Sequence, residues 1–326
     1  MAEALYPAIE PYRTEHLDVG DGHRLYLEQS GNPEGLPVLV LHGGPGGAST
    51  PRLRRFFDPA RYRIVCFDQR GCGKSLPVGE RHANDTRAQL ADIERLRGHL
   101  GVARWLLFGG SWGATLALLY AGSCRDRCLG LLLRGSFLAE RADLDWFFHG
   151  AAGMVPDAWA AFEARVPRGD GESVMAACLR VLGDDDAPEA AAVAAAWFAW
   201  ESTLARPWQR PPVAAASSSS GALASYRLQA AYLTRQCDLH DGEVLEAAAA
   251  AGDLPAALVH GRLDLVCRPM ASWSLWRTMP QARLRLVDQA GHDSFPSGMA
   301  KALTEAADRF AADGHFAGLG SEWFRR

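Results

Sequence analysis

Three features of the sequence predict an α/β fold with a mostly parallel central sheet. Short continuous apolar runs, the texture of strands buried on both faces, recur along the chain. Each run ends abruptly in glycine or a polar residue, and stretches with helical spacing lie between the runs. A long middle stretch, residues 139–251, interrupts the alternation with tryptophans set in alanine-rich helical sequence and no buried strands.

Taken in order, Leu17–Gln29 (LDVGDGHRLYLEQ) alternates around Asp21-Gly22, a hairpin turn signal. Pro37–Leu41 (PVLVL) is a buried strand that runs directly into His42-Gly43-Gly44-Pro45-Gly46-Gly47. Tyr62–Phe67 (YRIVCF) is a second, ending in Asp68-Gln69-Arg70-Gly71. Thr86–Leu100 carries Leu90, Ile93, Leu96 and Leu100 at helical spacing. Leu106-Leu107-Phe108 then leads through Gly109-Gly110 to Ser111 and a run of helix formers, and Leu129–Leu133 (LGLLL) follows as another strand. The helical stretch comes next. Within it, Gly183-Asp184-Asp185-Asp186 and Pro211–Gly221, including the serine-rich Ser217–Ser220, read as exposed loops. Ala256–His260 and Arg283–Val287 restore the sheet texture, and Gly298–Ala312 reads as a terminal helix. The expected organisation is a sheet core from residues 1–138 and 252–326, with residues 139–251 inserted as a helical cap.

Composition narrows the partners. A chain of 326 residues with 48% hydrophobic and 22% charged residues is ordinary for a globular protein. A formal net charge of −4 gives no electrostatic pull toward nucleic acid or an anionic membrane, so neither is expected as a partner. No apolar run approaches the roughly 18 residues of a membrane span. The first residues, MAEALYPAIEPYRTEH, do not read as an export signal, and seven scattered cysteines do not form a disulfide framework, so a reducing cytoplasm is expected. Cys124 and Cys128 lack nearby partners to complete a metal site. HGGPGG lacks the spacing of a dinucleotide loop, and Gly73-Lys74-Ser75 lacks the glycine that a phosphate loop places five residues earlier. No metal or cofactor is expected.

The chemistry lies in Gly109-x-Ser111-x-Gly113, the pattern of a nucleophile elbow placed between a strand and a helix. A serine nucleophile needs a base and an acid to orient that base. Ligand sites in open α/β sheets gather at the carboxyl ends of parallel strands. Ser111, Asp264 and His292 each follow a predicted strand, in the serine–acid–histidine order. Asp288 is too near His292 in sequence to orient it, Asp293 points away from its neighbour, and His42 suits a bracing role before its two glycines. Oxyanion donors are expected from the backbone N–H of Trp112 and of Gly44, with Gly43 as the alternative. Arg134, after its strand, either lines the site or pairs with a carboxylate.

Together these stretches resemble the proline iminopeptidases of the α/β-hydrolase fold. The resemblance is carried by LYPAIEPY, GHRLYLEQSGNP, HGGPGG, RRFFDPARYRIVCFDQRGCGKS, NDT, DIERLR, FGGSWGATLALLYA, LLLRGSF, the W-x-x-WE at Trp197–Glu201, HGRLDLVC and GHD, nearly end to end. It implies release of N-terminal proline from small peptides or amides without metal or cofactor, with Ser111 as nucleophile, Asp264 as acid and His292 as base. It also implies that carboxylates from the helical stretch hold the substrate amine. Glu201 matches the first, and Gly46 of the glycine loop is a further candidate for substrate contact. Where the family pattern R-I-E-N-H-Y-F carries the second, this chain has Arg227-Leu228-Gln229-Ala230-Ala231-Tyr232-Leu233, so that position is Gln229. The serine-rich loop is also foreign to the pattern. A second expectation follows from these departures: a hydrolase of the same fold acting on another amide or ester.

Overall fold

The computed structural model describes residues 4–209 and 220–325. A hairpin opens the chain: β1 (Arg13–Gly20) and β2 (His23–Gly31) pair antiparallel around Asp21 and Gly22, both at positive φ. β3 (Leu36–Leu41), β4 (Tyr62–Phe67), helix α1 (Thr86–His99), β5 (Trp105–Gly110), α2 (Trp112–Ser123) and β6 (Cys128–Arg134) follow. The Asp85 side chain caps α1 by accepting from the Ala88 N–H at 2.8 Å.

After β6 come α3 (Arg141–Phe148), α4 (Pro156–Glu163), α5 (Val174–Gly183), α6 (Ala190–Ala205), α7 (Ser220–Thr234) and α8 (Glu243–Ala250). The chain then returns to the sheet with β7 (Ala256–Gly261), α9 (Pro269–Thr278), β8 (Ala282–Val287) and α10 (Ser297–Asp313). The serine-rich loop of the sequence lies in residues 210–219, outside the described residues, apart from its last serine at the start of α7.

The eight strands form one sheet in the order β1-β2-β4-β3-β5-β6-β7-β8, parallel from β4 onward. Strand side chains alternate between faces, and both faces are buried here. Leu39, Leu107, Leu131 and Leu133 join the core beneath α1, α2 and the middle helices. Val38, Val40, Leu106, Phe108 and Leu132 face α10. Such two-sided burial is why these strands read as unbroken apolar runs.

In the middle stretch, α6 packs against α4, α5 and α7. The tryptophans form its core: the Trp200 ring stacks on Phe162 at 5.9 Å, and its indole N–H donates to the Phe147 carbonyl at 3.1 Å. α8 departs from these helices and packs on α2 of the sheet layer. Polar contacts tie the helices to the sheet layer. The Tyr232 hydroxyl donates to Asn84 Oδ1 (2.8 Å), the Trp146 indole to the Leu265 carbonyl (2.8 Å), and Arg268 pairs with Asp143 (2.8 Å).

Candidate active site

β5 ends in the buried pair Gly109-Gly110, and α2 begins at Trp112. Ser111 between them adopts φ 55° and ψ −124°, a conformation that costs a non-glycine residue energy and persists only where packing enforces it. The enforcement is visible on either side. A side chain on Gly109 would run into the Gly113 carbonyl, and one on Gly113 into the Leu41 carbonyl. The G-x-S-x-G spacing is therefore a packing requirement of the turn.

The glycine loop after β3 lies alongside. A Cβ on Gly43 would stand 3.4 Å from Ser111 Cβ and 4.0 Å from its Oγ. Among the described residues, the backbone N–H groups of Trp112 and Gly44 donate to no acceptor. His42 braces this loop. Its Nδ1 meets the Gly43 carbonyl at 2.8 Å, and its Nε2 accepts from the Gln69 N–H at 3.0 Å. Gln69 in turn donates to the His42 carbonyl and accepts from the Trp112 indole at 3.0 Å. Burial lowers the His42 pKa, so the ring is neutral and committed to the loop. Gly46 packs toward the Ser225 carbonyl of α7 and is not on the wall of the cavity described below.

Asp264 and His292 meet behind the serine, with Nδ1 2.7 Å from Oδ2. The other carboxylate oxygen accepts from the backbone N–H of Val266 (3.0 Å) and Cys267 (2.9 Å). Burial alone would raise the Asp264 pKa. The His292 charge and hydrogen bonds from His260 and His292 outweigh it and hold the carboxyl far below the usual range. The room for this pair depends on Gly135, at φ 49°: a Cβ there would stand 3.0 Å from His292 Nδ1 and 3.3 Å from Asp264 Oδ2. The His292 N–H donates to the Ala205 carbonyl at the end of α6, so the helical stretch also holds this loop. The competing acids are elsewhere: Asp288 is exposed and paired with Arg262, and Asp293 caps the Phe295 N–H.

Ser111 Oγ contacts Cys267 Sγ at 3.8 Å, and no hydrogen bond joins it to His292 among the described residues. The His292 Nε2 instead faces Arg134 Nη1 at 3.4 Å, and the same nitrogen of Arg134 donates to the His292 carbonyl at 3.2 Å. Arg134 thus meets His292 and lines a neighbouring cavity with Glu201 and Tyr226, and it has no carboxylate partner within ion-pair distance among the described residues. Burial lowers its pKa, with Asp264 opposing that effect. Cys267, unlike Arg134 not named among the candidate residues, has its thiol pKa raised well above the ordinary value by burial and then by Asp264, so it remains a protonated thiol.

One cavity opens onto Ser111, walled by Phe137, Leu144, Phe147, Phe148, Trp197 and Val266, with Glu201 and Gln229 also on its lining. Asp143 contributes a second carboxylate, but Arg268 neutralises it. Among the described residues Glu201 has no ion-pair partner and accepts from the Tyr226 hydroxyl at 3.3 Å. Burial raises its pKa, opposed by the His292 charge and by the Tyr226 hydrogen bond. Among the described residues no cluster of His, Cys, Asp or Glu has the geometry to hold a metal ion, and no helix is long and apolar enough to cross a membrane.

The sheet order and the elbow define a serine hydrolase of the α/β-hydrolase fold, and the family model described as alpha/beta hydrolase fold matches residues 37–298. The chain is 42% identical over 311 residues to a probable proline iminopeptidase of Leptolyngbya boryana, covering 94% of this chain and 97% of that one. It is 43% identical over 310 residues to the proline iminopeptidase of Xanthomonas citri, covering 94% and 99%. It therefore belongs to the proline iminopeptidase family. The crystal structure of a proline iminopeptidase-related protein from Thermus thermophilus shares the fold at a TM-score of 0.60 and 22% identity, covering 95% of this chain and 100% of that one.

Proposed function

We propose that this enzyme releases N-terminal proline from small peptides or amides through an acyl-enzyme on Ser111. The observation that carries the reading is Glu201, a carboxylate without an ionic partner among the described residues, on the wall of an apolar cavity that also holds Ser111. Removing a carboxylate from water costs free energy that a cation in the same cavity offsets. The secondary ammonium of an N-terminal proline supplies that cation, and Phe147, Phe148 and Trp197 supply an apolar wall for the pyrrolidine ring.

In the proposed reaction Ser111 Oγ turns from Cys267 toward His292 Nε2 as substrate fills the cavity, a tightening common between unliganded and substrate-bound sites. The hydroxyl proton passes to Nε2 while Oγ attacks the prolyl carbonyl. Asp264 holds the Nδ1–H and stabilises the imidazolium. The N–H groups of Trp112 and Gly44 receive the oxyanion. His292 then returns the proton to the leaving amine, and water attacks the prolyl ester by the reverse sequence. Within residues 139–251 the helices α3–α7 act as the cap, bringing Glu201 and Gln229 over the sheet, while α8 belongs to the sheet layer.

Gln229 on the same wall favours a second reading, in which the enzyme also accepts amides or esters lacking a basic amine. Hydrolysis of proline 4-nitroanilide beside an ester of cyclopentanecarboxylic acid separates the two. Preferred turnover of the anilide, lost in Ser111→Ala, is expected; preference for the ester would favour the second reading, and equal turnover by Ser111→Ala would end the first.

A further inference from the structure

Behind Asp264 lies a second histidine that the reaction does not use. His260, next to last in β7, is wholly buried. Its Nε2 lies 2.9 Å from the Cys267 carbonyl and 3.3 Å from Asp264 Oδ2, the oxygen that also meets His292. Its Nδ1 lies 2.7 Å from the Ser272 hydroxyl on α9, and that hydroxyl lies 3.0 Å from Ser136 Oγ in the loop after β6. All four side chains are removed from solvent: Ser136, His260 and Ser272 completely, Asp264 to 1% exposure.

Proton placement follows from these partners. Neither the Cys267 carbonyl nor the Asp264 carboxylate can donate, so a ring proton sits on His260 Nε2, hydrogen-bonded to the Cys267 carbonyl with Asp264 Oδ2 3.3 Å from the same nitrogen. Nδ1 meets the Ser272 hydroxyl, which donates in turn to Ser136 Oγ. We infer that His260 is a positioning residue: with Ser272 and Ser136 it forms a polar chain that fixes the Asp264 carboxylate in the orientation His292 needs. A carboxylate oxygen has two lone pairs; His292 takes one on Oδ2 and His260 approaches the other, while Val266 and Cys267 hold Oδ1. The two backbone donors stop the group from translating. The His260 contact opposes rotation about its Cβ–Cγ bond, the motion that would misalign the Asp264–His292 hydrogen bond.

The inference rests on reading Asp264 and His292 as orienting acid and base, and the test keeps the two apart. Steady-state turnover of proline 4-nitroanilide is measured for the full chain and for His260→Leu, His260→Gln, Ser272→Ala and Ser111→Ala. Loss of orientation lowers kcat with little change in KM, because the substrate wall is untouched. His260→Leu is expected to lower kcat roughly 10- to 100-fold, the scale on which small misplacements of a catalytic group act. His260→Gln, whose amide N–H reaches the place of Nε2, is expected to recover most of that loss. Ser272→Ala, which keeps the imidazole but frees its Nδ1, is expected to lower kcat about threefold and carries the test should His260→Leu fail to fold. A His260→Leu protein with wild-type kcat, a His260→Gln protein no better than His260→Leu, or a Ser272→Ala protein with unchanged kcat would each overturn the assignment. Turnover surviving in Ser111→Ala would instead remove the underlying reading of the site.

Discussion

Replacing Glu201 by glutamine tests how the enzyme chooses its substrate. The two side chains are close in size, and glutamine can still accept from the Tyr226 hydroxyl at 3.3 Å, so the fold should tolerate the change. What disappears is the negative charge. Breaking a fully buried ion pair costs about 3–5 kcal/mol. Glu201 is only partly shielded from solvent, so a loss of about 2–3 kcal/mol is the better figure. That corresponds to roughly a 30- to 150-fold fall in kcat/KM. The loss should not be shared by a neighbour, since Gln229 is neutral and Asp143 is held by Arg268. The assay compares proline 4-nitroanilide with the cyclopentanecarboxylate ester, which has the ring shape but no amine. Glu201→Gln should depress the anilide by the stated factor and leave the ester within about threefold. Equal losses on both substrates would mean that Glu201 supports the cavity rather than the ammonium, and no loss on either would refute the reasoning.

Three further outcomes follow from the same geometry. Because burial raises the Glu201 pKa, its charge is lost at a higher pH than an ordinary glutamate's as the solution is acidified. KM for proline anilide should therefore climb on acidification, and this rise should vanish in Glu201→Gln. Gln229→Glu should raise kcat/KM for the anilide by about 1 kcal/mol, roughly fivefold, at mildly alkaline pH, the difference between a neutral and a charge-assisted bond. Gly135→Ala should lower kcat and cost about 1–3 kcal/mol of stability, measured by urea denaturation, because it places a methyl at positive φ against the Asp264–His292 pair.

Much of this architecture is legible because strands buried on both faces leave nothing but apolar residues to read. Tyr62–Phe67 matches residue for residue, and the other parallel strands differ by one or two residues at an end. The elbow and the Asp264–His292 pair are legible because each member lies within a few residues of the carboxyl end of such a strand. Other features leave weaker marks. α9 is one: Pro269 stands at its first position, but Trp273 and Trp276 are only partly buried and pack on Phe324. His260 closes an apolar run and reads as the end of a strand; only the fold shows that Asp264, four residues on, turns back to it. Cys267 meets Ser111 across 156 residues, and Arg134, a candidate by its place after a strand, finds His292 across 158, pairings no local spacing encodes. Asp143 carries one signal, an acid in the first turn of α3, but Arg268 as its partner is 125 residues away.

The central claim is that Ser111 is a nucleophile activated by His292, and covalent labelling tests it most directly. Intact-mass analysis and peptide mapping after treatment with a fluorophosphonate should find one adduct per chain, on Ser111. Labelling should be absent in Ser111→Ala and slowed by orders of magnitude in His292→Ala, since the base that removes the hydroxyl proton is gone. An adduct that persists in Ser111→Ala, or one that forms at the wild-type rate without His292, would contradict the account.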